Sequence, residues 1–184
     1  MFGRWPLTSR VLVRVGLVTL LFVVVQQTLM LDLRVGGVHP DIMILLPIVA
    51  GLVGGPSRGA WMGFATGLVA DLFLPTPFGL SALVATMLGY AVGVATLALD
   101  RTAVWLPVVA ALAGSALYEL VYGVLGSVLG QPQMLHVDLV RVIAVVSITN
   151  AVLAIPAMGL VTWALPAAST EGVPTSPLSS GVAR

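Results

Sequence analysis

Two carboxylates inside long apolar stretches are the side chains in this sequence with the clearest capacity for chemistry. Asp71 lies in "LVADLF" and Glu119 in "LYELVY". Glu119 falls near the middle of its apolar run, where an isolated charge is costly in a membrane. We therefore expect Glu119 to be neutral, paired or facing a wet cavity. Three roles stay open for it: a structural hydrogen bond, a contact with a partner or ligand, and proton handling.

A ladder of small residues leads up to the first of these acids. In "GGPSRGAWMGFATGLVADLF" a glycine recurs at every fourth residue, and the next step of four reaches Asp71. Steps of four stay on one face of a helix. The same spacing appears in three successive apolar stretches, two of which contain an acid: Gly59, Gly63, Gly67 and Asp71; Ser81, Ala85, Gly89 and Gly93; Ala111, Ser115, Glu119, Gly123 and Ser127.

Small-residue faces of this kind let helix backbones approach closely inside a bilayer. One interpretation is that the glycines only hold the bundle together. The other is that they form a groove for the transmembrane helix of another protein, with Asp71 satisfying polar partners near the outer face. Asn150, in the last apolar run, is a further intramembrane polar group that can bond across helices.

The remaining polar residues give no sign of an enzyme. His39 and His136 lie in separate loops without metal-ligand companions, and the chain has no cysteine. There is no GxSxG elbow and no phosphate loop ending in GK[ST], and neither acid stands in a GxGD sequence. We predict no catalytic residue, no metal and no cofactor. Asp138 and Arg141, three residues apart, are expected to form a local ion pair.

The composition decides the class of protein. Of 184 residues 59% are apolar and 8% charged, and the mean hydropathy is +1.10. Soluble domains carry about 25% charged residues. The chain is therefore predicted to be an integral membrane protein of the all-α class. Its net charge of +1 comes from scattered residues, which does not indicate nucleic-acid binding.

The apolar runs predict a bundle of six transmembrane helices in one domain, 1–165, followed by a disordered cytoplasmic tail, 166–184. The second and third helices are short, at about 24–26 Å against a hydrocarbon core of about 30 Å. They either cross a thinned bilayer or form a re-entrant hairpin. Pro40 is expected in the first turn of the second helix. The predicted helices are 11–31, 40–55, 58–74, 79–99, 103–129 and 139–165.

Arginine positions predict the orientation. With both termini in the cytoplasm, five arginines at the helix ends face inward and two face outward, a bias that obeys the positive-inside rule. The inward ones are Arg4, Arg10, Arg14, Arg58 and Arg101, and the outward ones are Arg34 and Arg141. The first apolar run lacks a small-x-small cleavage site, so we interpret it as a retained helix and not as a signal peptide.

The order of these features resembles a known family. The stretch 39–93 resembles the bacterial rod shape-determining protein MreD family, with Pro-Asp before the second helix, a glycine-rich turn, a "GL..D" helix ending, and later "GL" and "GY" pairs. The resemblance extends over helices one to five. The residues that match the family pattern are Asp41, Arg58, Asp71, Gly79 and Tyr90. Glu119 has no match, so its expected role rests on the cost of burial alone.

This resemblance implies a non-enzymatic, multi-pass subunit of the cell-elongation machinery in the bacterial inner membrane. Family members work with the bitopic protein MreC and, indirectly, with the actin-like MreB, the RodA glycosyltransferase and its penicillin-binding partner. Their fold is thought to resemble the substrate-binding subunits of energy-coupling-factor vitamin transporters. The alternative function is such a transport subunit, with a solute held among Asp71, Glu119 and Asn150. The chain lacks a convincing internal repeat, which counts against that alternative.

Overall fold

The structure, a computed structural model, describes residues 9–30, 33–98, 103, 105–132 and 138–165. Within them the chain forms six α-helices and no β-strand, which confirms the predicted helical bundle. The predicted tail, 166–184, lies outside the described residues, as do Arg101 and His136. The helices are α1, Ser9–Val25, extended by a π-helical turn, Gln26–Met30; α2, Leu45–Gly54; α3, Pro56–Asp71; α4, Leu80–Ala95; α5, Leu106–Val128; and α6, Leu139–Ala164.

Three of these helices are long and apolar enough to cross a membrane: Ser9–Met30, α5 and α6. By contrast α2 has only 10 residues, or about 15 Å. It begins at Leu45 and not at Pro40, so the prediction that Pro40 lies in its first turn is wrong. The Asp41 carboxylate accepts a hydrogen bond from the Met43 N–H at 2.8 Å. Such a local turn replaces helical hydrogen bonding just before the helix.

Successive helices run in opposite directions. We call the end of the bundle where α1, α3 and α5 begin the lower end, and the opposite end the upper end. At the lower end Arg14 donates a hydrogen bond to the Trp163 carbonyl at 3.4 Å, and its guanidinium lies 5.0 Å from the centroid of the Trp163 ring. At the upper end the predicted ion pair of Arg141 with Asp138 is present at 3.1 Å.

The short helix α2 forms the centre of the bundle. Its residues Leu45, Leu46, Ile48, Val49 and Ala50 are fully buried. The longer helices surround it and point large apolar side chains outward: Leu17, Val128, Val140, Val152 and Ile155 are all more than half exposed. An apolar outer surface around a packed centre is what a bilayer requires of a helical protein.

Candidate functional site

The glycine ladder of α3 lies directly against α4. A methyl group added to Gly63 would collide with the backbone of Ala85, and one added to Gly67 would meet the backbone of Ala82 at 2.5–2.6 Å. Gly59 faces the Gly89 backbone in the same way. The two helix backbones are therefore in contact at three successive glycines, over about two turns. The sequence left two possible occupants for the glycine face of α3, a neighbouring helix or the helix of a partner protein. In the structure α4 covers this face.

The contact is reciprocal and includes α2. A methyl group on Gly89 would collide with the backbone of Gly59, and one on Gly93 with the start of α3 at Pro56. Gly51 on α2 approaches the Gly89 carbonyl, where an added Cβ would lie at 2.7 Å. Helices α2, α3 and α4 thus meet at glycines, and the small residues on these faces act in helix packing within the chain.

Asp71 caps the beginning of α4. Its carboxylate accepts hydrogen bonds from the backbone N–H groups of Gly79 at 2.9 Å, Ser81 at 3.0 Å and Ala82 at 3.3 Å. The side chain is buried, with 4% of its surface exposed. A carboxylate at a helix N-terminus satisfies unpaired N–H groups and complements the helix dipole. Both oxygens of Asp71 therefore accept hydrogen bonds inside the chain. One interpretation of the sequence had assigned them to polar groups of a partner protein.

A second polar cluster holds the non-helical segment before α2. The Gln26 side chain on α1 donates to the Pro40 carbonyl at 3.0 Å and accepts from the Ile42 N–H at 2.9 Å. From the other side Asn150 on α6 donates to the Asp41 carbonyl and to the Ser115 hydroxyl, both at 2.8 Å. Two side-chain amides thus satisfy the backbone of three consecutive residues. Sequence reasoning singled out Asn150 and missed Gln26, although a glutamine inside "VVVQQTL" was the available signal.

This cluster lies deep within the bundle. Asn150 is 11 residues beyond the start of α6 at Leu139, or about 16 Å along a helix of about 39 Å. Ser115 is 9 residues beyond the start of α5 at Leu106, or about 14 Å from the lower end. Non-helical backbone at such depth is tolerated only where protein groups satisfy it or it lines a cavity. Gln26 and Asn150 meet that requirement.

The Asp41 side chain lines a cavity of about 160 Å³. The cavity lies between α1, the segment before α2 and the upper end of α3, and its other lining residues are Val23, Gln26, Gln27, Met43, Ala70, Phe73 and Leu74. A second cavity of about 10 Å³ lies next to Asp41 on the side of Thr66 and Tyr118. Asp41 therefore separates a roomy, mostly apolar cavity from a small inner one.

Glu119 lies on α5, one turn beyond Ser115, and is partly buried. No hydrogen bond or ion pair of Glu119 is found within the described ranges. The adjacent Tyr118 stacks on Tyr122, with ring centroids 5.6 Å apart. The Tyr122 hydroxyl in turn donates to Thr76 at 3.0 Å. Glu119 thus lies one helical turn from the Asn150–Ser115 hydrogen bond.

The other family-matching residues lie away from this cluster. Arg58 is in the first turn of α3 at the lower end, where its aliphatic stem crosses Gly54. Tyr90 points outward from α4 with 54% of its surface exposed. The structure therefore joins Asp41 and Asn150 by a hydrogen bond, with Glu119 one turn along α5 from the Ser115 that Asn150 also binds. It leaves Arg58, Tyr90 and the glycine contacts at separate places.

The described residues contain no group of three or more His, Cys, Asp or Glu side chains that could hold a metal ion. The Gln26 amide is used by the backbone of residues 40 and 42, and the Asn150 nitrogen is used by Asp41 and Ser115, whereas the buried Asn150 oxygen has no hydrogen-bond partner within the described ranges. The Asp41 carboxylate is available for chemistry, because the Met43 N–H is the donor found for it in the described part of the chain and the side chain lines the larger cavity. The arrangement is suited to binding a hydrogen-bond donor or a cation.

A family model described as rod shape-determining protein MreD matches residues 9–163. No curated protein and no solved structure matches the chain. The expected likeness of the fold to vitamin-transporter subunits therefore stays a prediction.

Proposed function

This chain belongs to the MreD family of rod shape-determining proteins, and from that premise we propose that it is a non-enzymatic subunit of the bacterial cell-elongation complex. It is a multi-pass membrane protein with a role in cell shape. The match over residues 9–163 carries the proposal, because it includes all six helices. In the proposed role the protein binds an MreC-type bitopic partner and helps to direct lateral peptidoglycan synthesis. Its link to MreB, RodA and the penicillin-binding synthase is indirect.

The internal contacts restrict where a partner helix can bind. The glycine face of α3 is covered by α4, and the Asp71 carboxylate is used by α4. We place the partner helix in the groove between the lower halves of α4 and α5. This groove has a volume of about 420 Å³ and is lined by apolar residues and small ones, among them Ala91, Ala95, Ala110 and Ala113. Small residues permit the close approach that joins helices in lipid.

The proposed location is the inner membrane, with the lower end of the bundle at the cytoplasm. Trp61, Trp105 and Trp163 lie near helix ends at the lower end, where interfacial tryptophans anchor a bundle. Single-cysteine labelling tests this, since the chain has no native cysteine. Ser57→Cys at the lower end should react only after the cells are opened, and Val35→Cys at the upper end should react on intact cells. The reverse pattern would overturn the orientation.

The function itself is tested by depletion and by purification of partners. Loss of the protein should turn rods into spheres. Tagged protein solubilised in mild detergent should co-purify with the bitopic partner. Ala113→Leu, which fills the groove, should lower recovery of that partner at least fivefold. Gly159→Leu is the matched control, because an added Cβ there meets nothing within 4 Å. Equal recovery from both variants would contradict the groove as the docking site, and normal rods after depletion would contradict the function.

A substrate-binding subunit of a small-molecule transporter is the second candidate. The cavity beside Asp41 favours it, because a polar side chain in a mostly apolar cavity is typical of ligand sites. The same purification separates the two candidates. Recovery of ATPases without a bitopic partner would support transport and contradict the cell-elongation role.

A further inference from the structure

We propose that the cavity beside Asp41 binds a primary ammonium group attached to an apolar body, with the Asp41 carboxylate as its acceptor. This site is independent of partner docking, because the groove between α4 and α5 shares no lining residue with it. Three features of the described residues support the proposal: the charge of the site, the composition of the cavity wall and the place where the cavity lies.

The negative charge of the Asp41 carboxylate favours a cationic ligand. Asp41 has no ion pair within the part of the chain that the structure describes, where Arg141 pairs with Asp138. The sequence contains no lysine that could approach it. Glu119 is a further acid one helical turn from Ser115, which shares the Asn150 amide with the Asp41 carbonyl. A carboxylate removed from water is unfavourable unless a cation or hydrogen-bond donors compensate it. The Met43 N–H supplies one donor and leaves capacity for others.

The cavity wall is apolar apart from a few polar groups. Val23, Met43, Ala70, Phe73 and Leu74 form most of it. Gln26 also lines the cavity, but its amide is already bonded to Pro40 and Ile42. Gln27 is the second polar side chain that can turn to a ligand. A volume of about 160 Å³ corresponds to about five waters at liquid density. It can hold an ammonium head with a short alkyl segment.

The position of the cavity allows a primary ammonium ligand to reach it by two routes. It lies between α1 and the upper end of α3, two helices that have little contact with each other. A ligand can therefore enter between them from the bilayer, as the headgroup of phosphatidylethanolamine, or from the upper aqueous side, as a small alkylamine. A quaternary ammonium should bind more weakly than a primary one, because it carries the same charge but has no N–H to donate to Asp41.

The experiment uses the full chain in nanodiscs. Bound lipid is measured by native mass spectrometry after release from discs of phosphatidylethanolamine, phosphatidylcholine or phosphatidylglycerol. Thermal stability is measured in phosphatidylcholine discs with hexylamine or with hexanol. We expect at least tenfold more retained phosphatidylethanolamine than phosphatidylcholine if the source is lipid. We expect a higher Tm with hexylamine only if the source is a soluble amine. Absence of both effects would overturn the proposal.

Two variants and one control locate the site. Asp41→Asn removes the charge but keeps an oxygen for the Met43 N–H, and Ala70→Leu fills the cavity but leaves the acidic residue in place. Both should abolish the preference for a primary amine. Asp138→Asn, an exposed acid at the upper end, should retain it. Amine binding that survives both cavity variants would contradict this site, and Ala70→Leu decides the result if Asp41→Asn fails to fold.

Discussion

Asn150 on α6 donates a hydrogen bond to the Ser115 hydroxyl on α5 at 2.8 Å, and the same amide nitrogen donates to the Asp41 carbonyl. One side chain thereby joins α5, α6 and the non-helical segment before α2. Since Asn150 is fully buried, the groups it serves cannot turn to water when it is removed.

Asn150→Ala should therefore destabilise the bundle strongly. Each buried polar group left without a partner lowers the free energy of unfolding by about 1–3 kcal/mol. This substitution removes the donor to the Asp41 carbonyl and to the Ser115 hydroxyl and leaves a cavity beside them. We expect a large fall in Tm, measured by fluorescence-detected size exclusion after heating in detergent. Ile148→Ala, at an outward-facing position with 60% exposure, is the control and should change Tm little. Equal effects of the two substitutions would contradict the role given to Asn150.

Asp71→Ala should destabilise α4 through loss of its cap. Three N–H groups at the start of that helix lose their acceptor, and loss of a helix cap costs about 1–2 kcal/mol. Asp71→Asn, which keeps one acceptor oxygen, should be intermediate. Hydrogen exchange of the amides of Ser81 and Ala82 is the direct measurement, with faster exchange expected in Asp71→Ala. Recovery of the bitopic partner per folded molecule should not change, because α4 and not the partner uses the carboxylate.

Gly63→Leu should prevent close packing of α3 on α4. A side chain at this position collides with the Ala85 backbone, so the helices must separate and lose their contact over several turns. The expected result is a sharp drop in monodisperse protein after solubilisation. Gly16→Leu on α1 makes the same chemical change where an added Cβ meets nothing within 4 Å, and its yield should match the wild type. A normal yield of Gly63→Leu would rule out this helix contact.

Gln26 and Gln27 form a natural matched pair. Gln26→Leu removes both hydrogen bonds to residues 40 and 42 and should lower Tm by several degrees. Gln27→Leu should leave Tm nearly unchanged, because Gln27 makes no hydrogen bond within the described ranges and only lines the cavity. The two variants, heated side by side, give this comparison directly. If Gln27→Leu proved the more damaging, the hydrogen bonds of Gln26 would not be what holds the segment.

The sequence predicted six helices because a long apolar run in a membrane must satisfy its own backbone hydrogen bonds, and a helix does so within one segment. It did not predict that α2 begins only at Leu45. The run "IMILLPIV" is as apolar before that residue as after it, and the difference comes from side chains on distant helices. It also could not decide what covers the glycine face, since a stripe of small residues accepts any close helix. The Gln26 contacts were missed because only acids and Asn150 were weighed as intramembrane polar groups.

The hydrogen bond from Asn150 to the Asp41 carbonyl joins residues 109 positions apart. During synthesis the segment before α2 enters the membrane long before the residue that completes it has been made. The segment before α2 therefore cannot reach its final hydrogen bonding until α6 has been made. A chain that ends before Asn150 lacks this donor for the Asp41 carbonyl.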